Sequence, residues 1–167
     1  VELTPAPGED ADWTAGDIAE VGPAHAPAVV AAFLATTIFD GHARVTTADG
    51  ETTLSALLAR STLPSTTDAA TAQALADRLD PLPHREYSIA SIPADGRLHL
   101  LVRQLRRPDG RLGLGAAWLT EDAPLGHDIA LRLRRNRGFH PPADTMPVIL
   151  IGNGTGIAGL RALLRAR

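Results

Sequence analysis

Apolar positions recur along this chain at two different spacings, and the change falls near residue 86. Before that point the longer apolar patterns are helical. In the Ala-rich run over 26–36, Val29, Val30, Phe33 and Leu34 sit at helix spacing. Residues 53–59 suit a short helix, and 69–79 another, with 65–68 able to cap it and Pro81 and Pro83 closing it. Between the first two helices, 45–47 and 52–53 flank Asp49-Gly50, a dipeptide that favours a hairpin turn. Ahead of them, 1–3 reads as the end of a strand and is followed by a Pro/Gly/acidic loop to Asp12. Trp13-Thr14-Ala15-Gly16-Asp17 then reads as a turn into a short strand over 18–21, broken by Gly22-Pro23.

From Glu86 the pattern turns to strands. Residues 87–92 and 98–105 flank the turn Pro93-Ala94-Asp95-Gly96, although Leu101 interrupts a clean alternation, and Pro108-Asp109-Gly110 marks a second turn. A short helix is predicted over 116–120 after Gly113 and Gly115, a strand over 128–133, and a short buried strand over 148–151. Ile157, Leu160, Leu163 and Leu164 then line one face of a last helix. A single strand-turn-helix unit does not make a parallel-sheet domain, so 146–167 is expected to be only its beginning.

Composition narrows the function classes. A hydrophobic fraction of 44% with 21% charged residues is that of a folded chain. The net charge of -3 gives no global basic field for nucleic acid. All cationic residues are Arg and none is Lys, a bias we attribute to GC-rich coding. The absence of cysteine excludes disulfides and thiolate ligands within these residues. The six histidines (25, 42, 84, 99, 127 and 140) show no ligand spacing, so no metal site is expected. No signal peptide and no membrane-length apolar run is visible, and a cytoplasmic location is the default expectation.

Two motifs carry candidate chemistry. Arg85-Glu86-Tyr87-Ser88 joins a guanidinium able to grip a pyrophosphate with an aromatic face on the same side of a strand. Ser88 and Ser91 add hydroxyls of a size to reach a ring nitrogen or a phosphate oxygen. Taken alone, the motif is weak and reads first as an ordinary surface strand. The glycine loop of Gly113, Gly115, Ala116 and Ala117 would offer unpaired backbone N–H groups at a helix start, or would simply join a strand to a helix. Gly152-Asn153-Gly154-Thr155-Gly156 follows an apolar run and leads into a helix, the setting of a nucleotide-cradling turn. Arg132, Arg134, Arg135 and Arg137 form a basic strip that is either a solvated face or a contact for an adenine phosphate or an acidic electron partner. Trp13 and Trp118 are expected in the core.

Taken in order, these motifs, with Asn136 and Phe139 and the Trp13 to Ile18 turn, resemble the sulfite reductase flavoprotein alpha subunit and the cytochrome P450 reductase-like diflavin reductases. The resemblance implies an α+β fold moving into α/β. An antiparallel FAD-binding β-barrel would cover 1–145, with a short helical insertion at about 26–80. The first strand-turn-helix unit of an NADP-binding domain would cover 146–167, the whole region being truncated at both ends. It also implies that Arg85, Tyr87, Ser88, Ser91, Gly113, Gly115, Ala116 and Ala117 bind FAD. Tyr87 would stack on the isoalloxazine, and Ser88, the candidate catalytic residue, would reach flavin N5. Gly152, Gly154, Thr155 and Gly156 would hold NADP. NADPH would pass hydride to FAD, and electrons would leave through FMN in a flavodoxin domain that these residues do not contain. The alternative is a non-catalytic FAD-binding module or a ligand-free barrel fragment. Two departures from the family pattern stand out: Ala116 and Ala117 where relatives often carry a hydroxyl, and Asn153 and Gly159 in the nucleotide loop.

Overall fold

The computed structural model describes residues 1–8 and 12–167; part of the acidic loop expected before Asp12 therefore lies outside the described residues. Among them, seven short strands and five α-helices follow one another in mixed order. They are β1 (Glu2–Leu3), β2 (Ile18–Val21), α1 (Pro27–Leu34), β3 (Arg44–Thr47), β4 (Gly50–Thr53), α2 (Leu54–Ala59), α3 (Ala72–Ala76), β5 (Arg85–Ser88), β6 (Leu98–His99), α4 (Leu114–Ala117), β7 (Leu131–Arg134) and α5 (Ile157–Arg165).

Every strand pairing is antiparallel. β2 is the centre of a three-stranded sheet in the order β5-β2-β7, and β1 pairs with β6. A single bridge, Ile89 to Leu100, and the hydrogen bond from Ala90 N to His99 O (2.8 Å) join the two groups, so the strands run in the order β1-β6-β5-β2-β7. No closed barrel is formed among the described residues. On β2, Ala19 and Val21 are fully buried against Trp13, Ile89, Leu98, Leu100, Trp118 and Leu119. The two tryptophans therefore lie in the core, as expected.

The insertion has a core of its own. Val30, Val45, Leu54, Leu58, Leu75 and Ala76 pack together between α1, α2, α3 and the β3–β4 hairpin. The hairpin and first two helices match the pattern of the sequence closely. α3 is shorter than the predicted 69–79, because Thr71 rather than 65–68 caps it, its hydroxyl accepting from Ala74 N at 3.0 Å. β6 is likewise shorter than the predicted 98–105. Between Leu100 and Gly113 the described residues have only an isolated bridge, Arg106 to Leu112, and Leu101 and Leu105 are exposed.

The largest departure is at 148–151. The apolar run is not a strand: Ile149 and Ile151 are 88% and 87% exposed. A buried parallel strand needs neighbours on both sides, and no described strand lies beside it. α5 is held by other means. Ala15, Ala162 and Leu163 make a small core, Arg161 donates to Ala90 O at 2.6 Å, and Arg165 pairs with Asp95.

Asp17 ties these parts together. Its carboxylate is 1% exposed and accepts four hydrogen bonds. Thr14 N (2.9 Å) and Arg135 Nη1 (3.1 Å) reach Oδ2, while Asn136 N (2.9 Å) and His140 Nε2 (2.6 Å) reach Oδ1. Burial alone would raise its pKa, but the bonds from Thr14, His140 and Asn136 outweigh it and hold the carboxyl below its ordinary value. A lowered folded-state pKa contributes stability that is complete above the unfolded value, about pH 4, and is lost as pH falls through the folded value. Asp17→Asn should therefore cost about 2 to 3 kcal/mol at neutral pH. It should also flatten the loss of stability on acidification, as read from urea midpoints between about pH 7 and pH 3. An unchanged acid limb would contradict this account.

Candidate functional site

Strand alternation decides which motif residues can act together. In β5, Arg85 and Tyr87 stand opposite Val21 and Ala19, on the core side of the sheet. Glu86 and Ser88 stand opposite Glu20 and Ile18, on the other face. That outer face is charged and internally matched. Glu20, 6% exposed, accepts from Arg132 Nε at 2.7 Å and lies 2.7 Å from Arg134 Nε, an ion pair outside hydrogen-bond geometry. Arg134 also reaches Glu86 at 2.8 Å. The Arg132 hydrogen bond, opposed by burial, keeps the Glu20 carboxyl below its ordinary value. With Arg135 on Asp12 and Asp17, three of the four arginines of the basic strip are committed within the chain. They are paired within the chain while their side chains stay exposed to solvent.

On the core side, Arg85 and Tyr87 open into a cleft of about 330 Å³. Its floor is the start of α4, with Gly113, Leu114, Gly115 and Ala116 along it. Gly115 is buried, and a Cβ there would stand 2.6 Å from Arg85 Cγ and 3.2 Å from the Tyr87 hydroxyl. The glycine thus lets both side chains cross the helix start. Leu114, Gly115 and Ala116 N–H have no partner among the described residues, whereas Ala117 N already donates to Gly113 O at 2.9 Å. α4 runs on as a π-helical turn over Trp118–Asp122, where Ala123 N donates to Trp118 O at 3.0 Å. Tyr87 is half-buried, and burial raises its phenol pKa against the lowering effect of Arg85.

The structure thus brings together Arg85, Tyr87, Gly113, Gly115 and Ala116. It does not bring Ser88 or Ser91 with them. Ser88 is exposed at the end of β5 on the outer face. Ser91 is fully buried, its hydroxyl accepting from His99 N at 2.9 Å and its carbonyl from Trp13 Nε1 at 2.9 Å. Three cleft residues, Arg103, Leu105 and Arg107, were missed. Their spacing of two was the available signal: it puts all three on one side of an extended segment, as it does Arg85 and Tyr87.

The second glycine motif forms an exposed turn. Gly152 lies against Leu160, where a Cβ would meet Leu160 Cδ1 at 2.6 Å. Gly154 has φ +55°, and the 3-10 turn Gly154–Gly156 leads directly into α5. Thr155 is exposed at its crest. Beneath α5, a smaller, mainly apolar cavity of about 80 Å³ lies between Pro141, Val148 and Leu163, with Arg167 as its charged lining residue.

An arginine-lined cleft with an aromatic wall, and a glycine turn at a helix start, are features that can receive a phosphate-bearing ligand. Comparison with known proteins gives the class. The chain is similar to the sulfite reductase [NADPH] flavoprotein alpha-components of Photorhabdus laumondii (41% identical), Mannheimia succiniciproducens (36%) and Salmonella typhi (39%), each over 102 residues. The matched stretch covers 58% of this chain and only 17% of each relative's length. No protein-family model matches. The resemblance carried by the motifs is therefore borne out, and the chain is related to these flavoprotein oxidoreductases.

Because the chain has a single tyrosine, its phenol titration reports on the cleft alone. It should titrate above the free range of about pH 10. Gly115→Ala should push the ring outward, return the titration toward that range and cost about 1 to 3 kcal/mol. A titration unmoved by the substitution would show that Gly115 does not hold Tyr87 in place.

Proposed function

We propose that this chain is the flavin-binding part of an NADPH-dependent flavoprotein reductase, acting in the cytoplasm. FAD would lie in the cleft between β5 and the start of α4. The observation that carries the reading is the close approach at Gly115, where the missing side chain lets Arg85 and Tyr87 lie against the start of α4, whose first three N–H groups have no partner among the described residues. The relationship to flavoprotein alpha-components named for NADPH supports it. On this reading 1–145 make an open FAD-binding barrel from the β1-β6-β5-β2-β7 strands, and 146–167 begin an NADP-binding unit.

The residues present fit such a cofactor. Arg85 is the guanidinium for a pyrophosphate, with the amides of 114–116 below it. Its present hydrogen bonds, to Pro83 O (2.7 Å) and His84 O (3.3 Å), engage no carboxylate. Tyr87 offers the ring a flat, half-desolvated partner. Ser88, the last residue of β5, lies on the face opposite Tyr87, so it would partner flavin N5 only around the end of that strand. The Gly152–Thr155–Gly156 turn would receive the nicotinamide nucleotide, close backbone approach being open at Gly154. When bound, FAD supplies two-electron acceptance from NADPH and single-electron release. The chain's part is to bind, orient and desolvate. Onward transfer to an FMN-bearing flavodoxin domain would belong to the longer protein.

The test is the visible spectrum of the chain after incubation with FAD and desalting. Bands near about 375 and 450 nm should be retained by the wild type, and lost in Arg85→Ala/Tyr87→Ala. A folded but colourless wild type would overturn the flavin reading.

A further inference from the structure

The arginines of the segment 103–111 divide into two groups. Those pointing away from the cleft are neutralised: Arg106 pairs with Glu121 at 3.1 Å and Arg111 with Asp109 at 3.0 Å. Those lining it are not. Arg103 and Arg107 make no side-chain hydrogen bond or ion pair among the described residues, and no carboxylate lines the cleft with them. Together with Arg85 they make three arginines lining one opening. Elsewhere in the chain a carboxylate answers most arginines, as at Glu2, Glu20, Glu51, Asp68 and Asp95. Asp109 lies within the field of Arg107 but is paired with Arg111; positive charge is therefore in excess at the opening, and a multiply charged anion relieves the repulsion.

We propose that Arg103 and Arg107 are specificity-determining residues, which grip a diphosphate from the side of the cleft opposite Arg85 and so favour a flavin dinucleotide over a mononucleotide or an uncharged flavin. The proposal rests on the flavin reading for its ligand, but the diphosphate grip can be tested apart from it. Arg103 and Arg107 lie four residues apart with Leu105 between them on the same side, 61% exposed, an apolar surface for the ligand to cover. A phosphate monoester could engage only part of this set, and riboflavin none of it. Guanidinium groups suit the task because each can donate two parallel bonds to phosphate oxygens.

The experiment measures binding of FAD, FMN, riboflavin and ADP by titration calorimetry. It uses the full chain, Arg103→Gln/Arg107→Gln, each single variant, and Arg60→Gln in the insertion as a charge control. Both target side chains are exposed and unpaired, so the variants should keep the wild-type unfolding midpoint. The double variant should lose about 30-fold or more in affinity for FAD and for ADP. Riboflavin affinity should stay within about twofold, and the salt dependence of FAD binding should weaken. Equal losses for FAD and riboflavin, or no loss for either, would overturn the proposal, as would the same loss in Arg60→Gln. A wild type that binds ADP in an Arg103- and Arg107-dependent way but no flavin would sustain the diphosphate grip while removing the flavin reading. A wild type that binds none of the four ligands would remove both.

Discussion

The buried carboxylate of Asp17 is the constraint on which the rest of the structure depends. A charge removed from water is tolerable only when its lone pairs are filled, and four donors from two distant stretches of chain fill them here. Meeting that demand fixes the turn before β2, and the Asn136–His140 stretch after β7, in one place. Asn136 adds a bond from its side-chain amide to Gly16 O at 3.0 Å. Gly16 in turn has φ +99°, and any Cβ there would overlap the Phe139 carbonyl at 2.1 Å. Phe139 then lies against Gly159 of α5, where a Cβ would stand 2.8 Å from its ring. A single polar demand thus passes, through two glycine contacts, to the placement of the last helix.

The same logic of small residues under large ones builds the cleft. β2 carries Ala19 opposite Tyr87, and α4 carries Gly115 below it. The aromatic ring can therefore be half-buried without distorting either element. Directly behind it, on the outer face, Glu20 is surrounded by Arg132 and Arg134, so that face of the sheet is closed by its own charges. The asymmetry is electrostatic. Cation and anion are balanced behind the sheet and left unbalanced in front, which directs an incoming anion to one side only.

Much of this was legible in the residues. The hairpin at Asp49-Gly50, the helix over Leu54–Ala59 and the pairing of Arg85 with Tyr87 each follow from local rules of period and turn chemistry. The fate of Ser88 was legible too, because strand alternation alone sends it to the face opposite Tyr87. What the sequence could not display was which polar groups the fold would consume. Ser91 looks like a free hydroxyl and is instead a buried acceptor for His99. The basic strip looks unpaired and is mostly a set of exposed partners for Glu20, Asp12 and Asp17. Both depend on residues far away in the chain, which no local window contains.

The run at 148–151 carries the argument one step further. Its composition is that of a fully buried strand, yet Ile149 and Ile151 face solvent while the helix that follows is firmly placed. The two behave differently because their needs differ. α5 satisfies its backbone internally and requires only one covered face, which Ala15, Ile92 and Leu150 provide, with Arg161 and Arg165 fastening its polar side. A strand satisfies nothing internally; its hydrogen bonds exist only beside another strand. The helix is therefore secured by contacts with the antiparallel sheet region. The apolar run has the pattern of a strand but, among the described residues, not the condition that turns such a pattern into structure, a second strand alongside it.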